Sequence, residues 1–419
     1  MAQGAGLDAR FAAIKALEWV LRDKRMLAHL PANPRHSPAD QARAARLAGL
    51  VLRHLQPIDA VLVPYLDRKP PLGALLILRL AAAELLVAGE DPHGVVDSAV
   101  KLAKAGRSTG RLSGMINAVL RKVAVEGPER FAAEPAQRLP GWIGGPVKKR
   151  FGQDALRAIE AAHVPQPPID LTPKPGVELS VEGATILPTG SVRLPPGAQV
   201  SAIPGYDDGA FWVQDAAAAL PVRLLGDVRG KRVLDLCAAP GGKTMQLAAA
   251  GAEVTALDLS EPRMRRVREN LRRTGLSADL VIGDALEHAG QYDAVLLDAP
   301  CTATGTIRRH PDLPFVKRWT EVEELTRLQM RLLDHALTLL APGGTLVFCT
   351  CSLLPVEGEF QVTAALKRHA ALRAIPADPV ALGGDVAWAS AEGGLRLRPD
   401  DWPDIGGIDG FYMAALTTG

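Results

Sequence analysis

The spacing of apolar side chains changes twice along the chain. From residue 8 to about 130, apolar residues recur three and four apart with Pro or Gly breaks between. This spacing predicts helices at 12–21, 39–54, 58–66, 72–87, 94–105 and 113–124, an all-α bundle. The most apolar run, 71–89, is interrupted by Arg79 and Glu84, which favours a buried helix over a membrane span. From 131 to about 220 the periodicity lapses. Prolines crowd between Pro165 and Pro196, and short β-like runs at 177–181 and 191–194 predict a helical linker and then a small mixed α/β subdomain. The stretch 212–216 reads as the opening of a helix capped by Asp215. From Arg232 onward strands alternate with helices. Strands are expected at 233–237, 253–258, 279–282, 293–298 and 345–350, and helices near 243–250, 261–275, 323–340 and 357–370. That alternation predicts a doubly wound parallel sheet, with 395–397 and 410–416 as strands at its edge. The expected domains are therefore 1–132, 133–222 and 223–419.

The first strand of the alternation runs into the most informative loop. After Val233 to Leu236 come Cys237, Ala238, Ala239, Pro240, Gly241, Gly242, Lys243 and Thr244, and helical spacing then resumes, so the segment reads strand, turn, helix N-terminus. Pro240 and the two glycines remove side chains where a ligand would approach the backbone, and the first amides of the next helix face the same crevice. Gly-x-Gly-x-x-Gly is absent, and Cys237 stands where a P-loop needs a glycine, which disfavours a phosphate cradle. A nucleoside without phosphates fits better. Asp258 closes the strand 253–258, near the position about 20 residues past the loop where a carboxylate takes ribose hydroxyls. The nucleoside that donates chemistry without phosphates is S-adenosyl-L-methionine. The plainer alternative is an ordinary strand-to-helix turn with a packing glycine.

Charge sharpens the division of the chain. Residues 1–130 hold 19 Lys and Arg against 12 Asp and Glu, whereas the other 289 hold 29 against 34. A basic front joined to an acidic body either docks an anionic partner or is a solvated helix surface. The four cysteines, Cys237, Cys301, Cys349 and Cys351, show no Cys-x-x-Cys pair, so neither a zinc site nor a disulfide framework is expected. The first thirty residues carry charges along an amphipathic pattern and no signal peptide, and the expected location is the cytoplasm, where thiols stay reduced.

Two further strands end in chemistry. One closes with Asp298-Ala299-Pro300-Cys301, the other with Cys349-Thr350-Cys351-Ser352, and in a parallel sheet both ends lie over the same edge as the glycine loop. Two cysteines and a carboxylate facing one cofactor suit methylation of cytosine carbon 5. That carbon is a poor nucleophile until a thiolate adds to carbon 6, and a group held at ring nitrogen 3 stabilises the charge this addition creates. A second thiol or base then helps remove the carbon 5 proton. Cys237 and Cys349 read instead as buried small side chains. His310, beside Arg308 and Arg309, either contacts RNA phosphate or belongs to a solvated basic loop.

The segments Cys237 to Thr244, Asp298-Ala299-Pro300-Cys301 with Thr304-Gly305, Thr350-Cys351-Ser352 and Asp409-Gly410-Phe411 together resemble the RsmB/NSUN family of RNA cytosine-5 methyltransferases. The segments 114–122, 96–104 and 77–81 are similar to the RNA-binding helical bundle of the antitermination factor NusB. The resemblance implies a multidomain chain: a NusB-like all-α bundle, a small α/β subdomain, then an α/β Rossmann-like class I methyltransferase domain. It implies S-adenosyl-L-methionine as cofactor and RNA as partner, with 16S rRNA as the expected substrate; from the residues themselves no membrane and no metal are expected, and a monomer is the default. By position it makes Cys351 the nucleophile, Cys301 the residue assisting release, Asp298 the holder of the cytosine edge and Lys243 the organiser of the pocket. It assigns cofactor contacts to Cys237, Ala238, Ala239, Pro240, Gly241, Gly242, Lys243, Asp258, Arg263, Asp284 and Asp298. Glu357-Gly358-Glu359 departs from the family's Glu-Asn-Glu and is expected to alter a helix start, and 169–174 lacks the arginine and asparagine often found there. Transfer RNA or large-subunit rRNA as substrate, and a non-catalytic RNA-binding assembly or antitermination factor, are the alternatives.

Overall fold

All six helical runs of the first segment form. The computed structural model describes every residue except Met1, Ala32 and Arg35 and separates into two units, the first made of Met1–Gly144, His163–Pro165 and Arg309–Arg318. Its helices are α1 (Ala2–Leu21), α2 (Pro38–Arg53), α3 (Leu55–Leu62), α4 (Leu72–Leu86), α5 (Pro92–Ala105) and α6 (Ser113–Ala133). Ser37 and Asp91 cap α2 and α5, each accepting from an amide of the first turn, with proline following as the first helical residue. Helix α4 is apolar nearly all round and is correspondingly buried from Ala74 to Glu84 save for Arg79. Both its charges are matched: Glu84 is held by Arg10 at 2.7 Å, and Arg79 meets Asp59 through two bonds of 2.7 and 2.6 Å.

The second unit holds Gly145–Ala162, Gln166–Arg308 and Trp319–Gly419. Helices α7 (Gly141–Phe151), which begins in the first unit, and α8 (Gln153–Ala162) lead to strands β1 (Asp170–Pro173), β2 (Thr185–Ile186), β3 (Val192–Arg193) and β4 (Phe211–Val213), an antiparallel sheet of order β2-β3-β1-β4. The run 177–181 is not a strand: Leu179 and Val181 pack half-buried on the core of this sheet, but the run follows a turn and pairs with none of its strands. Trp212 and Val213 belong to β4, and the helix expected to open on them, α9 (Ala216–Arg223), begins after them with Asp215 as its cap.

The main sheet comprises β5 (Arg232–Leu236), β6 (Glu253–Asp258), β7 (Asp279–Ile282), β8 (Tyr292–Asp298), β9 (Leu340–Thr350), β10 (Arg373–Ile375), β11 (Leu395–Leu397) and β12 (Phe411–Thr417), interleaved with α10 (Gly242–Ala249), α11 (Glu261–Thr274), α13 (Trp319–Thr338) and α14 (Glu359–Arg368). The short α12 (Leu313–Val316) between them falls in the first unit, where Phe315 and Val316 pack on the helical core and Asp312 accepts from the Leu27 amide at 2.6 Å. Strand order is β10-β12-β9-β8-β5-β6-β7, parallel from β9 to β7 and antiparallel where β12 joins. Alternate residues feed two cores: Val233, Ala294, Leu296 and Val347 face one side, and Leu234, Leu236, Val295, Leu297 and Phe348 the other. Strand β12 is not the edge strand expected from the sequence: it lies between β9 and β10 with β11 also paired to it. Its run Phe411 to Leu416 is buried on both faces, the signature of an interior strand.

His54, between α2 and α3, is buried against the Phe131 ring at 5.7 Å. Burial, aided by the Arg53 charge, lowers its pKa to about 4. The unfolded chain binds this proton near pH 6.5 and the folded chain does not, so stability is full above pH 6.5 and falls as pH drops toward 4. Urea unfolding is expected to lose about 2 kcal/mol from this group between pH 7.5 and 4.5, after discounting for solvent that still reaches the ring. An unchanged pH dependence in His54→Leu would exclude it.

Candidate active site

Three parallel strands, β5, β8 and β9, end over one edge of the main sheet, and their register sets the heights of the residues at their tips. Asp298 pairs in register with Cys349, and Leu236 with Leu297, so the loop after Leu236 and the Asp298 carboxylate stand side by side. Cys237 is in the left-handed region at φ 65°. Gly241, at φ 101°, packs so closely on α11 that an added Cβ would sit 3.1 Å from Val267, so no other residue suits it. Asp258 clamps this loop, accepting from the Ala239 amide at 3.1 Å and pairing with Arg263 at 3.4 Å, while Arg263 also donates to the Ala239 carbonyl. Asp284 lies beyond β7 on the same edge, exposed, its carboxylate accepting from the Leu286 amide at 2.9 Å. The opening amides of α10 and the acidic groups Asp258 and Asp284 make a donor and acceptor set suited to a nucleoside with hydroxyls and an amine.

Lys243 is buried and donates to Asp298 at 2.7 Å, with its ammonium 5.2 Å from the centre of the Phe411 ring. Burial is the largest single influence and works against its charge, but Asp298, Cys349 and Asp235 together outweigh it and hold the Lys243 pKa above the ordinary lysine value. The other oxygen of Asp298 accepts from the Cys349 thiol at 3.5 Å. Ala238, Pro240, Gly242, Lys243 and Asp298 line a cleft of about 340 Å³ with Trp212, Gln214, Asn270 and Arg273, whereas Asp258, Arg263 and Asp284 lie outside its lining.

The Cys301 and Cys351 sulfurs are 3.6 Å apart, and both residues are half-buried. The Cys351 thiol and burial together hold the Cys301 pKa well above the ordinary range, so Cys301 stays protonated at neutral pH. Burial pushes up the thiols of Cys349 and Cys237 as well, which makes both poor nucleophiles. Cys349 is fully buried as expected, and Cys237 is half-buried.

Sequence reasoning missed the group that fixes this geometry. Glu357, fully buried, accepts from the Thr302 amide at 2.9 Å, the Thr302 hydroxyl, the Ser352 hydroxyl at 2.6 Å and Gln329 at 3.2 Å. Thr302 follows Cys301 and Ser352 follows Cys351, so one carboxylate ties the two cysteine loops together. Gln329 also donates to the Pro300 carbonyl at 2.8 Å. Gly305 and Gly410 interlock behind the cysteines, where a Cβ added to Gly305 would run into the Gly410 carbonyl. Gly358 precedes α14, and a Cβ there would press on Arg396 and Tyr412. A second missed group is Asp235 beneath the loop, fully buried, whose pKa burial raises to about 7 against the 2.6 Å bond from Thr244. In the basic loop His310 is exposed, whereas its neighbour Arg308 is buried and bonded to Asp409 at 2.5 Å and Asp215 at 3.0 Å.

A Rossmann-like sheet with a nucleoside loop and a lysine-braced acid at its carboxyl edge defines an S-adenosyl-L-methionine-dependent methyltransferase. Residues 222–417 match the family model described as 16S rRNA methyltransferase RsmB/F, and residues 7–125 match the NusB family. The ribosomal RNA small subunit methyltransferases B of Shigella boydii serotype 4 and of Escherichia coli O127:H6 are each 35% identical over 392 residues, covering 87% of this chain and 91% of theirs. The chain belongs to the RsmB/F family of rRNA methyltransferases. The solved structure of PH0851 superimposes with a TM-score of 0.73 at 22% identity, covering 98% of both chains. NSun6 of Pyrococcus horikoshii, solved with SFG, gives 0.55 at 19% identity over 67% of this chain and 98% of its own. Both share its fold.

Replacing Glu357 with alanine strands several buried donors and is expected to lower the unfolding free energy by about 3–5 kcal/mol. Glu357→Gln turns an NH2 group toward those donors and should cost about 1–3 kcal/mol. In the folded glutamine variant, diamide should couple Cys301 to Cys351 more slowly than in wild type, measured as loss of free thiol. Equal coupling rates would show that Glu357 does not set the thiol spacing.

Proposed function

We propose that the chain methylates carbon 5 of a cytosine in 16S rRNA through a covalent adduct on Cys351. The observation that carries this reading is the 3.6 Å approach of the Cys301 and Cys351 sulfurs on adjacent strand-end loops. Bound S-adenosyl-L-methionine supplies a methyl group on a sulfonium. Cys351, as thiolate, adds to carbon 6 of the ring and drives electrons toward nitrogen 3 and carbon 5. Asp298, braced by Lys243, holds the nitrogen 3 edge, and the positive charge of Lys243 stabilises the electron-rich ring. Once carbon 5 has taken the methyl group, its proton passes to a base, the carbon 5–carbon 6 double bond re-forms and the Cys351 thiolate leaves. Cys301 assists that release.

The cofactor contacts are assigned to Cys237 to Lys243, Asp258, Asp284 and Asp298, with Arg263 holding the loop from behind. The bundle over 1–132 supplies phosphate and shape contacts, 133–222 links it to the catalytic domain over 223–419, and the cytosine enters splayed from its stack. Among the described residues no helix is long and apolar enough to cross a membrane. We place the protein in the cytoplasm as a monomer.

Cys301→Ala, incubated with 16S rRNA transcript and S-adenosyl-L-methionine, is expected to accumulate a protein-RNA adduct on a denaturing gel. The Cys301→Ala/Cys351→Ala double variant should form none. Absence of an adduct while wild type methylates the transcript would overturn the division of labour between the cysteines. No methylation by wild type would overturn the substrate.

A further inference from the structure

Helix α11 concentrates charge that its own unit neutralises only in part. Within Glu261–Thr274 it carries six arginines and two glutamates, although residues 131–419 as a whole are acidic. Met264, Val267, Leu271 and Thr274 face inward. The 3.6-residue turn then places Arg263, Arg266, Asn270 and Arg273 along one flank of that buried stripe, and Arg265, Arg268 and Arg272 along the other.

The first flank is the one that borders the cleft. Asn270 and Arg273 line it beside Lys243 and Asp298, and Asn270 donates to the Pro240 carbonyl at 3.2 Å. Arg273 gives its donors to the carbonyls of Tyr206 and Phe211 at 2.7 and 3.0 Å and lies over the Tyr206 ring. Carbonyls fix the guanidinium without cancelling its charge. Arg266, one turn before Asn270, is exposed and has no ion pair or side-chain hydrogen bond among the described residues. On the other flank Arg265 is paired with Glu261 at 3.1 Å. Around the antiparallel sheet before the main one, Lys174 donates to the Thr274 carbonyl at the end of α11, and Arg193 is buried on Asp170 at 2.7 Å.

We propose that this flank, with Arg266 at its free end and Arg273 at the cleft, is a phosphate rail that leads an RNA strand to the Lys243–Asp298 cleft. The occupant is RNA because Arg266 and Arg273 on this flank carry positive charge that no carboxylate pairs among the described residues, with fork-shaped donors, and the flank continues into the cleft that would receive a base. Arg263 is the one arginine on it that is paired, with Asp258. The proposal rests on the RNA-methyltransferase reading and adds to it the surface of the catalytic unit that bears phosphate, independently of the amino-terminal bundle.

The test uses the full chain and a 16S rRNA transcript, with binding measured by filter retention at several salt concentrations. Arg266→Ala is expected to weaken binding about 3–10-fold, to raise KM for RNA and to lower the slope of log K against log salt by about 0.7, as for one lost single-strand phosphate contact. Arg272→Ala removes the same charge from the opposite flank and should leave the slope unchanged. Equal losses in the two variants would make the effect a diffuse field and overturn the rail, as would no loss in Arg266→Ala. Both variants should keep the wild-type melting temperature and affinity for S-adenosyl-L-methionine. If wild type itself fails to bind the transcript, the substrate reading fails first.

Discussion

The buried carboxylate of Glu357 is the constraint on which the candidate catalytic geometry depends. Parallel pairing of β8 and β9 puts Asp298 and Cys349 at one height, but it does not determine where loops two or three residues further on will turn. Left to backbone preference alone, the Cys301 and Cys351 loops would each sample several paths. Glu357 removes that freedom because a fully buried carboxylate is costly unless its lone pairs are met, and Thr302, Ser352 and Gln329 meet them only when both loops are in place. The cost of burying one charge is thereby converted into a fixed distance between two sulfurs.

The same reasoning separates the four cysteines, which composition cannot tell apart. Cys349 and Cys237 are raised by burial, the first beside Asp298 and the second in the left-handed turn that aims the glycine loop. Cys301 is raised too, by the Cys351 thiol first and then by burial, but it alone of these three faces Cys351, at 3.6 Å, while Glu357 holds the residues next to both. Asp298 in turn is engaged on one oxygen by Lys243 and on the other by Cys349. A carboxylate accepts roughly four hydrogen bonds, so it keeps free acceptor positions without needing to rotate. Its orientation is set before any ligand arrives, the condition under which a fixed charge is most effective.

Range along the chain decides how much of this is legible in the sequence. The strands β5, β6, β8 and β9 are legible as apolar runs, and the loop and both cysteine motifs are contiguous, so a short window holds all the information they need. Glu357 is not legible as a tether because its partners, Thr302, Gln329 and Ser352, come from three separate segments. Arg308 misleads for the same reason: beside Arg309 and His310 it looks like part of a basic surface loop, and only the arrival of Asp215 and Asp409 makes it an interior ion pair. Strand β12 is a different case. Six consecutive buried residues are a local signal for an interior strand, and position at the end of the chain is a weaker guide than pattern.

Domain boundaries show the limit of reading along the chain. The expected divisions follow composition, yet Arg309–Arg318 lies within the catalytic sequence and belongs by packing to the first unit. Phe315 and Val316 are apolar residues in a segment of otherwise mixed polarity, and they find their core among α1 and its neighbours rather than on the sheet. The segment begins directly after Arg308, which Asp215 and Asp409 hold buried, and ends at α13, which carries Gln329. The chain therefore leaves the catalytic unit and returns to it at two fixed points, and Gln329 at the second belongs to the Glu357 network. A boundary drawn through composition assigns to the sheet-bearing domain a segment whose apolar side chains are satisfied in the helical core.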